Sequence, residues 1–127
     1  MSSGLFNLNG KRALITGSSQ GIGFALAKGL AAEGVEIVLN GRNAEKLVSA
    51  AKALEANSLK THQLAFDATD HTAVREAIDG FESASGAIDI LVNNAGMQHR
   101  TALQDFPPEA FEQLLQTNIA SVFHVGQ

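Results

Sequence analysis

Short apolar runs alternate along the chain with longer stretches of helical period. Ala13-Leu14-Ile15 marks a strand over Arg12 to Thr16. Over Gly21 to Glu33, Ile22, Ala25, Leu26, Gly29 and Leu30 recur at three- and four-residue spacing, which predicts a helix packing that side on a sheet, and Gly34 ends it. The pattern then predicts a strand over Glu36 to Leu39, a helix over Ala44 to Ala56, a strand over Thr61 to Phe66, a helix over His71 to Ser83 and a strand over Ile88 to Val92. Short strands separated by longer helices are βαβ crossovers, whose right-handedness forces a parallel sheet covered on both faces. The expected fold class is α/β, a doubly wound parallel sheet of about four strands. Beyond it, Phe111, Leu114, Leu115, Ile119, Val122 and Phe123 form an apolar stripe on a helix over Glu109 to Val125, most simply packed against the sheet.

At 127 residues and 45% hydrophobic content, the chain has the size of one ordinary domain and enough apolar surface for a core. Nine Lys plus Arg against 13 Asp plus Glu give a net charge of −4, spread along the chain, with no basic face for a nucleic-acid backbone. The absence of cysteine excludes disulfides, thiolate metal sites and a cysteine nucleophile within these residues, and suits a reducing compartment. MSSGLFNLNGKR lacks the basic start and apolar run of a secretory signal, and no window reaches the roughly 18 apolar residues of a membrane span. The expected location is the cytoplasm. His62, His71, His99 and His124 have no paired spacing with carboxylates and predict no metal site.

The candidate chemistry sits where strands end. TGSSQGIG, Thr16 to Gly23, occupies the first strand-to-helix turn, where Gly17, Gly21 and Gly23 let the backbone approach a partner and a helix N-terminus offers unpaired N–H groups to an anion. Its spacing differs from the Gly-x-Gly-x-x-Gly dinucleotide fingerprint, so two readings stand: a pyrophosphate cradle, or a tight turn with no ligand. About 20 residues on, where such folds contact the adenosine ribose, the second strand ends in Asn40-Gly41-Arg42. An acid there would hold both ribose hydroxyls and repel a 2′-phosphate. Arg42 instead offers a two-pronged, charge-assisted contact to that phosphate, which favours NADP over NAD; the plainer reading is a solvated loop arginine. After the third strand, Asp67 is either an acceptor for an adenine amino group or a cap for the next turn. After the fourth, Asn93-Asn94-Ala95-Gly96 is either a crevice open to a flat ring or a strand-ending turn. His99 and Arg100 read equally well as the lining of a pocket for a polar substrate and as surface loop.

Taken together, TGSSQGIG, Asp67, NNAG at 93 to 96 and Asn118 in QTNIASVFHV resemble, in order and spacing, the short-chain dehydrogenase/reductase family, and the resemblance covers the whole chain. It implies a Rossmann-type fold and NAD(P)-dependent hydride transfer between a secondary alcohol and a ketone. It also implies that Gly17, Ser19, Gln20, Gly21, Ile22 and Gly23 serve the pyrophosphate, Arg42 the 2′-phosphate, Asp67 and Ala68 the adenine, and Asn94, Ala95 and Gly96 the ribose and nicotinamide. The family's catalytic group is a Ser, a Tyr-x-x-x-Lys and an Asn, the Tyr acting as general acid/base and the Asn helping to hold a proton-relay water through its backbone. Only the Asn, at Asn118, has a counterpart here; the chain has no tyrosine and reaches Gln127 inside a helix. Without the resemblance Asn118 reads as an ordinary helix asparagine. Residues 1–127 are therefore expected to be a C-terminally incomplete NAD(P)-binding Rossmann domain, and the complete protein a homotetramer whose interface uses the last helix. Two function classes remain open, an NADP-dependent oxidoreductase and a nucleotide-binding or interaction module that does no chemistry.

Overall fold

The computed structural model describes residues 7–56, 60–98 and 100–127. Its elements are β1 (Arg12–Ile15), α1 (Gly21–Ala32), β2 (Glu36–Gly41), α2 (Ala44–Glu55), β3 (Thr61–Ala65), α3 (His71–Ser85), β4 (Ile90–Val92), α4 (Pro108–Leu115) and α5 (Ser121–Gly126). A short 3₁₀ turn (Leu103–Asp105) precedes α4, and a π turn (Gln116–Ala120) joins α4 to α5. The described strands form one four-stranded sheet in the order β3-β2-β1-β4, every pairing parallel. Leu14 stands beside Val38 on one side and Leu91 on the other.

Side chains alternate across a strand, and the two cores follow from that alternation. Ala13, Ile15, Ile37 and Leu39 face α1 and α2, meeting Ala27, Ala31, Leu47, Ala51 and Leu54. Leu14 and Val38 face the other way, onto Phe66, Val74 and Val125. Each fully buried Leu or Ile contributes roughly 1.5–3 kcal/mol of transfer free energy.

The side that α1 buries is not the one its large apolar residues predict. Gly23, Ala27 and Ala31 face the sheet, whereas Ile22 is 75% exposed and Leu26 41%. Small residues four apart let the helix axis lie close to the strands, so close approach decides the packed face. The Phe111–Phe123 stripe is likewise exposed, with Ile119 at 63% and Phe123 at 64%; the inward residues of that segment are Ser121 and Val125.

At the amino ends of the strands, Arg12 and Glu36 are register partners and their side chains pair. Lys60 Nζ lies 3.1 Å and His62 Nε2 3.4 Å from the same carboxylate. Burial pushes the Glu36 carboxyl up, but hydrogen bonds from Arg12 and Lys60, with the charges of Arg12 and His62, outweigh it and hold the group below its ordinary value. This clamp ties β1, β2 and β3 at the edge opposite the candidate site.

Candidate functional site

The chain runs outward from β1 through β2 to β3 and then returns to place β4 on the other side of β1. That reversal opens a crevice beyond the carboxyl ends of the strands, and the loops leaving them surround a cleft of about 720 Å³.

From β1 come Gly17, Ser19, Gln20 and Gly21. Gly17 has φ +61°, and a Cβ there would sit 3.1 Å from the Ala95 Cα, so only glycine lets the β1 loop lie against the β4 loop. A Cβ at Gly23 would overlap Gly17 O and reach within 2.6 Å of Asn94 Nδ2. Gly23 thus serves the seating of α1 on the loop, and neither it nor Ile22 lines the cleft. Gly21 meets open space, at φ +63°.

The three sheet-facing helices begin differently. Asn43 caps α2 through Lys46 N at 3.0 Å, and Asp70 caps α3 through Ala73 N at 3.1 Å. The α1 N-cap, Gln20, makes no side-chain capping bond, and the first turn of α1 carries no acid. Its first N–H groups have no intrahelical partner, and they lie beside the cleft that Ser19, Gln20 and Gly21 line.

Arg42, Asn43 and Lys46 bring cationic and amide groups from the β2 end, and Asp67 and Ala68 line the cleft from the β3 end. Asp67 Oδ1 accepts from Thr69 N at 2.9 Å and Thr69 Oγ1 at 2.7 Å. Burial raises the Asp67 pKa, but the two Thr69 bonds and the nearby Arg42 charge outweigh it, leaving the carboxyl below its ordinary value and ionised at neutral pH. The capping reading of Asp67 therefore describes one of its oxygens, in a residue that still faces the cleft.

Asn94, Ala95 and Gly96 line the β4 side. Thr16 Oγ1 accepts from Asn94 N at 3.0 Å and Ala95 N at 2.9 Å, and Asn94 Nδ2 donates to Gly17 O at 3.1 Å. Part of the Asn94 amide thus holds the glycine loop. Asn40, 2% exposed, accepts from Gly17 N at 3.1 Å and donates to Leu64 O at 2.9 Å and Phe66 O at 3.3 Å.

Asn118 sits in the π turn, where the sequence pattern predicts uninterrupted α-helix. It does not line the cleft. Its Oδ1 accepts from Met97 N at 2.9 Å and its Nδ2 donates to Met97 O at 3.0 Å, fastening the loop that follows NNAG to the helix. A turn of π-helix inside an α-helix is rare and often marks a functional position. Gln113, Gln116 and Thr117 of the same helical segment form a far wall of the cleft that spacing along the chain did not indicate. Arg100 is exposed and His99 lies outside the described residues. Among the described residues no group of three or more His, Cys, Asp or Glu is placed to hold a metal.

A parallel sheet in the order 3-2-1-4, with an uncapped helix and a cleft at its switch point, defines a Rossmann-type α/β domain. The family model for short chain dehydrogenases matches residues 11–127, and the chain belongs to that family. It is 52% identical over 123 residues to gluconate 5-dehydrogenase of Gluconobacter oxydans, covering 97% of this chain and 48% of that protein. To 5-keto-D-gluconate 5-reductase of Escherichia coli K12 it is 39% identical over 123 residues, again 97% of this chain and 48% of the relative. The crystal structure of a gluconate 5-dehydrogenase from Burkholderia cenocepacia in complex with NADP and tartrate superposes with a TM-score of 0.92 at 48% identity, over 96% of this chain and 48% of that one. The chain thus spans about half the length of the curated relatives it matches.

Proposed function

We propose that residues 1–127 are the cofactor-binding part of an NADP-dependent oxidoreductase that interconverts a secondary alcohol and a ketone, with gluconate and 5-ketogluconate as the substrate pair. The observation that carries this reading is Arg42, with no acid beside it at the β2 end, lining the same cleft as the uncapped start of α1. The relatives named for gluconate and 5-keto-D-gluconate, and the related structure holding NADP, support it. The stretches ITGSSQGIG, VLNGRN and NNAGMQHR also look, within the family, most like gluconate 5-dehydrogenases.

The donors fit a dinucleotide. Gly17, Ser19, Gln20 and Gly21, beside the unpaired N–H groups at the start of α1, would hold the pyrophosphate; Arg42 would hold the 2′-phosphate, Asp67 and Ala68 the adenine end, and Asn94, Ala95 and Gly96 the ribose and nicotinamide end. When bound, the cofactor supplies or receives the hydride. Asn118 holds Met97 and so keeps the NNAG exit in place beside the reacting end. Proton transfer to the substrate oxygen needs a titratable group, and with no tyrosine in the chain the family's donor would belong to a segment beyond these residues. Family resemblance supports a homotetramer, and the absence of a secretory-signal pattern in MSSGLFNLNGKR supports a cytoplasmic location; among the described residues no helix is long and apolar enough to cross a membrane.

The test is NADPH oxidation by the full-length protein with 5-ketogluconate, against NADH and against a 3-oxoacyl thioester. Turnover with NADPH and 5-ketogluconate well above the other combinations is expected. Turnover of the thioester alone would move the protein to the 3-oxoacyl-carrier-protein reductase branch, and no binding of either nicotinamide cofactor would remove the oxidoreductase reading.

A further inference from the structure

Asn40 is buried at the end of β2, two residues before Arg42, and its hydrogen bonds reach both the glycine loop and the end of β3. A carboxamide offers one acceptor and two N–H donors. Here the oxygen takes Gly17 N–H, and the nitrogen faces Leu64 O and Phe66 O. Its backbone is engaged as well: Asn40 N donates to Ser18 Oγ at 2.9 Å, and Asn40 O accepts from Ser18 N at 2.8 Å. Gly17 opens the glycine loop, and Phe66 immediately precedes Asp67 and Ala68. One side chain therefore fixes the loop that lines the cleft from β1 relative to the residues that line it from β3.

We propose that Asn40 is a positioning residue for the cofactor. Its carboxamide sets the placement of the glycine loop relative to the β3 exit, and with it the affinity for the dinucleotide common to NADP and NAD; Arg42 sets the preference between them. This rests on the oxidoreductase reading above. The site demands both kinds of group at once. Aspartate has the same shape but no N–H, so it would press a buried carboxylate against two carbonyl oxygens. Serine is too short to span from Gly17 to the β3 carbonyls.

The experiment is steady-state kinetics and direct titration of NADPH and NADH on the full-length protein, comparing wild type with Asn40→Asp and Asn40→Ser, with circular dichroism as the folding control. Expected is a rise of about ten- to a hundredfold in KM and Kd for both cofactors, an unchanged NADPH:NADH ratio, and kcat at saturating cofactor within about twofold of wild type. Asn40→Ser serves if the buried charge of Asn40→Asp prevents folding. Amide hydrogen exchange of the apo protein supplies a reading independent of the cofactor, with Gly17 N–H exchanging faster in the variants. Unchanged cofactor affinity in a folded variant, or a loss confined to NADPH, overturns the proposal. Absence of cofactor binding in wild type overturns the oxidoreductase reading instead.

Discussion

Arg42 and Gly21 carry the two most direct tests at the scale of single residues. One charge-assisted contact is worth about 1.5–3 kcal/mol, so Arg42→Ala is expected to weaken NADPH by about ten- to a hundredfold in a binding titration and to leave NADH nearly unchanged; equal losses would overturn its assignment to the 2′-phosphate, and no loss of either would make it a solvated loop residue. At Gly21 an added Cβ meets open space, so Gly21→Val should leave the protein folded by circular dichroism, despite the strained positive φ, while abolishing cofactor binding by filling the approach to the α1 amides. Unchanged affinity in the folded variant would reduce the loop to a turn. Gly23 is a poor site for the same test, because its Cβ would collide with the loop backbone and Asn94. The glycines, Arg42 and Asp67 could be picked out in the sequence because each has an unusual residue type at a strand end. Thr16, Ser18 and Asn40 could not. They look like ordinary polar residues, and the Thr16 to Asn94 bond joins positions 78 apart, which no local spacing encodes.

At the scale of elements, the order of strands and helices follows from periodicity, since runs such as Ala13-Leu14-Ile15 are buried on both faces and cannot be amphipathic helix. The packed face of α1 does not follow, because close approach through Gly23, Ala27 and Ala31 outranks side-chain size, and hydropathy scores size. The π turn around Asn118 is equally invisible to a period count, and the two bonds that Asn118 makes from it reach Met97, 21 positions away. The Arg12–Glu36 clamp yields a prediction with a sign. The Glu36 carboxyl is held below its ordinary value in the folded protein, so its contribution is fully present above the unfolded carboxylate pKa and is lost as pH falls through the lowered folded value. Glu36→Gln should destabilise by about 1 kcal/mol at neutral pH, as a part-exposed ion pair does. The gap from wild type should close below about pH 4. Thermal unfolding across that range checks it, and a gap that widened in acid would contradict the assignment.

At the scale of the whole molecule, what the 127 residues bury and what they leave open predict how this chain behaves when made alone. Rossmann-type sheets are covered on both faces; among the described residues β4 is an edge strand, and Leu91 is 36% exposed. Phe111, Ile119 and Phe123 add an exposed apolar stripe along the last helical segment, at 55%, 63% and 64%. An open strand edge and a contiguous apolar face each favour association, so the isolated chain is expected to self-associate or aggregate in sedimentation experiments, and a monodisperse monomer would contradict that. It is also expected to turn over no substrate. Asn118 has an amide that does not titrate near neutral pH, and both its polar atoms are bonded to Met97, so it supplies no proton. The cleft has residues suited to holding a dinucleotide and, with no tyrosine in the chain, lacks the family's proton donor. NADPH oxidation with 5-ketogluconate, run on equal amounts of the isolated chain and the full-length protein, decides the point. Activity is expected from the full-length protein alone. Equal rates from both would mean that a residue within these 127 moves the proton after all.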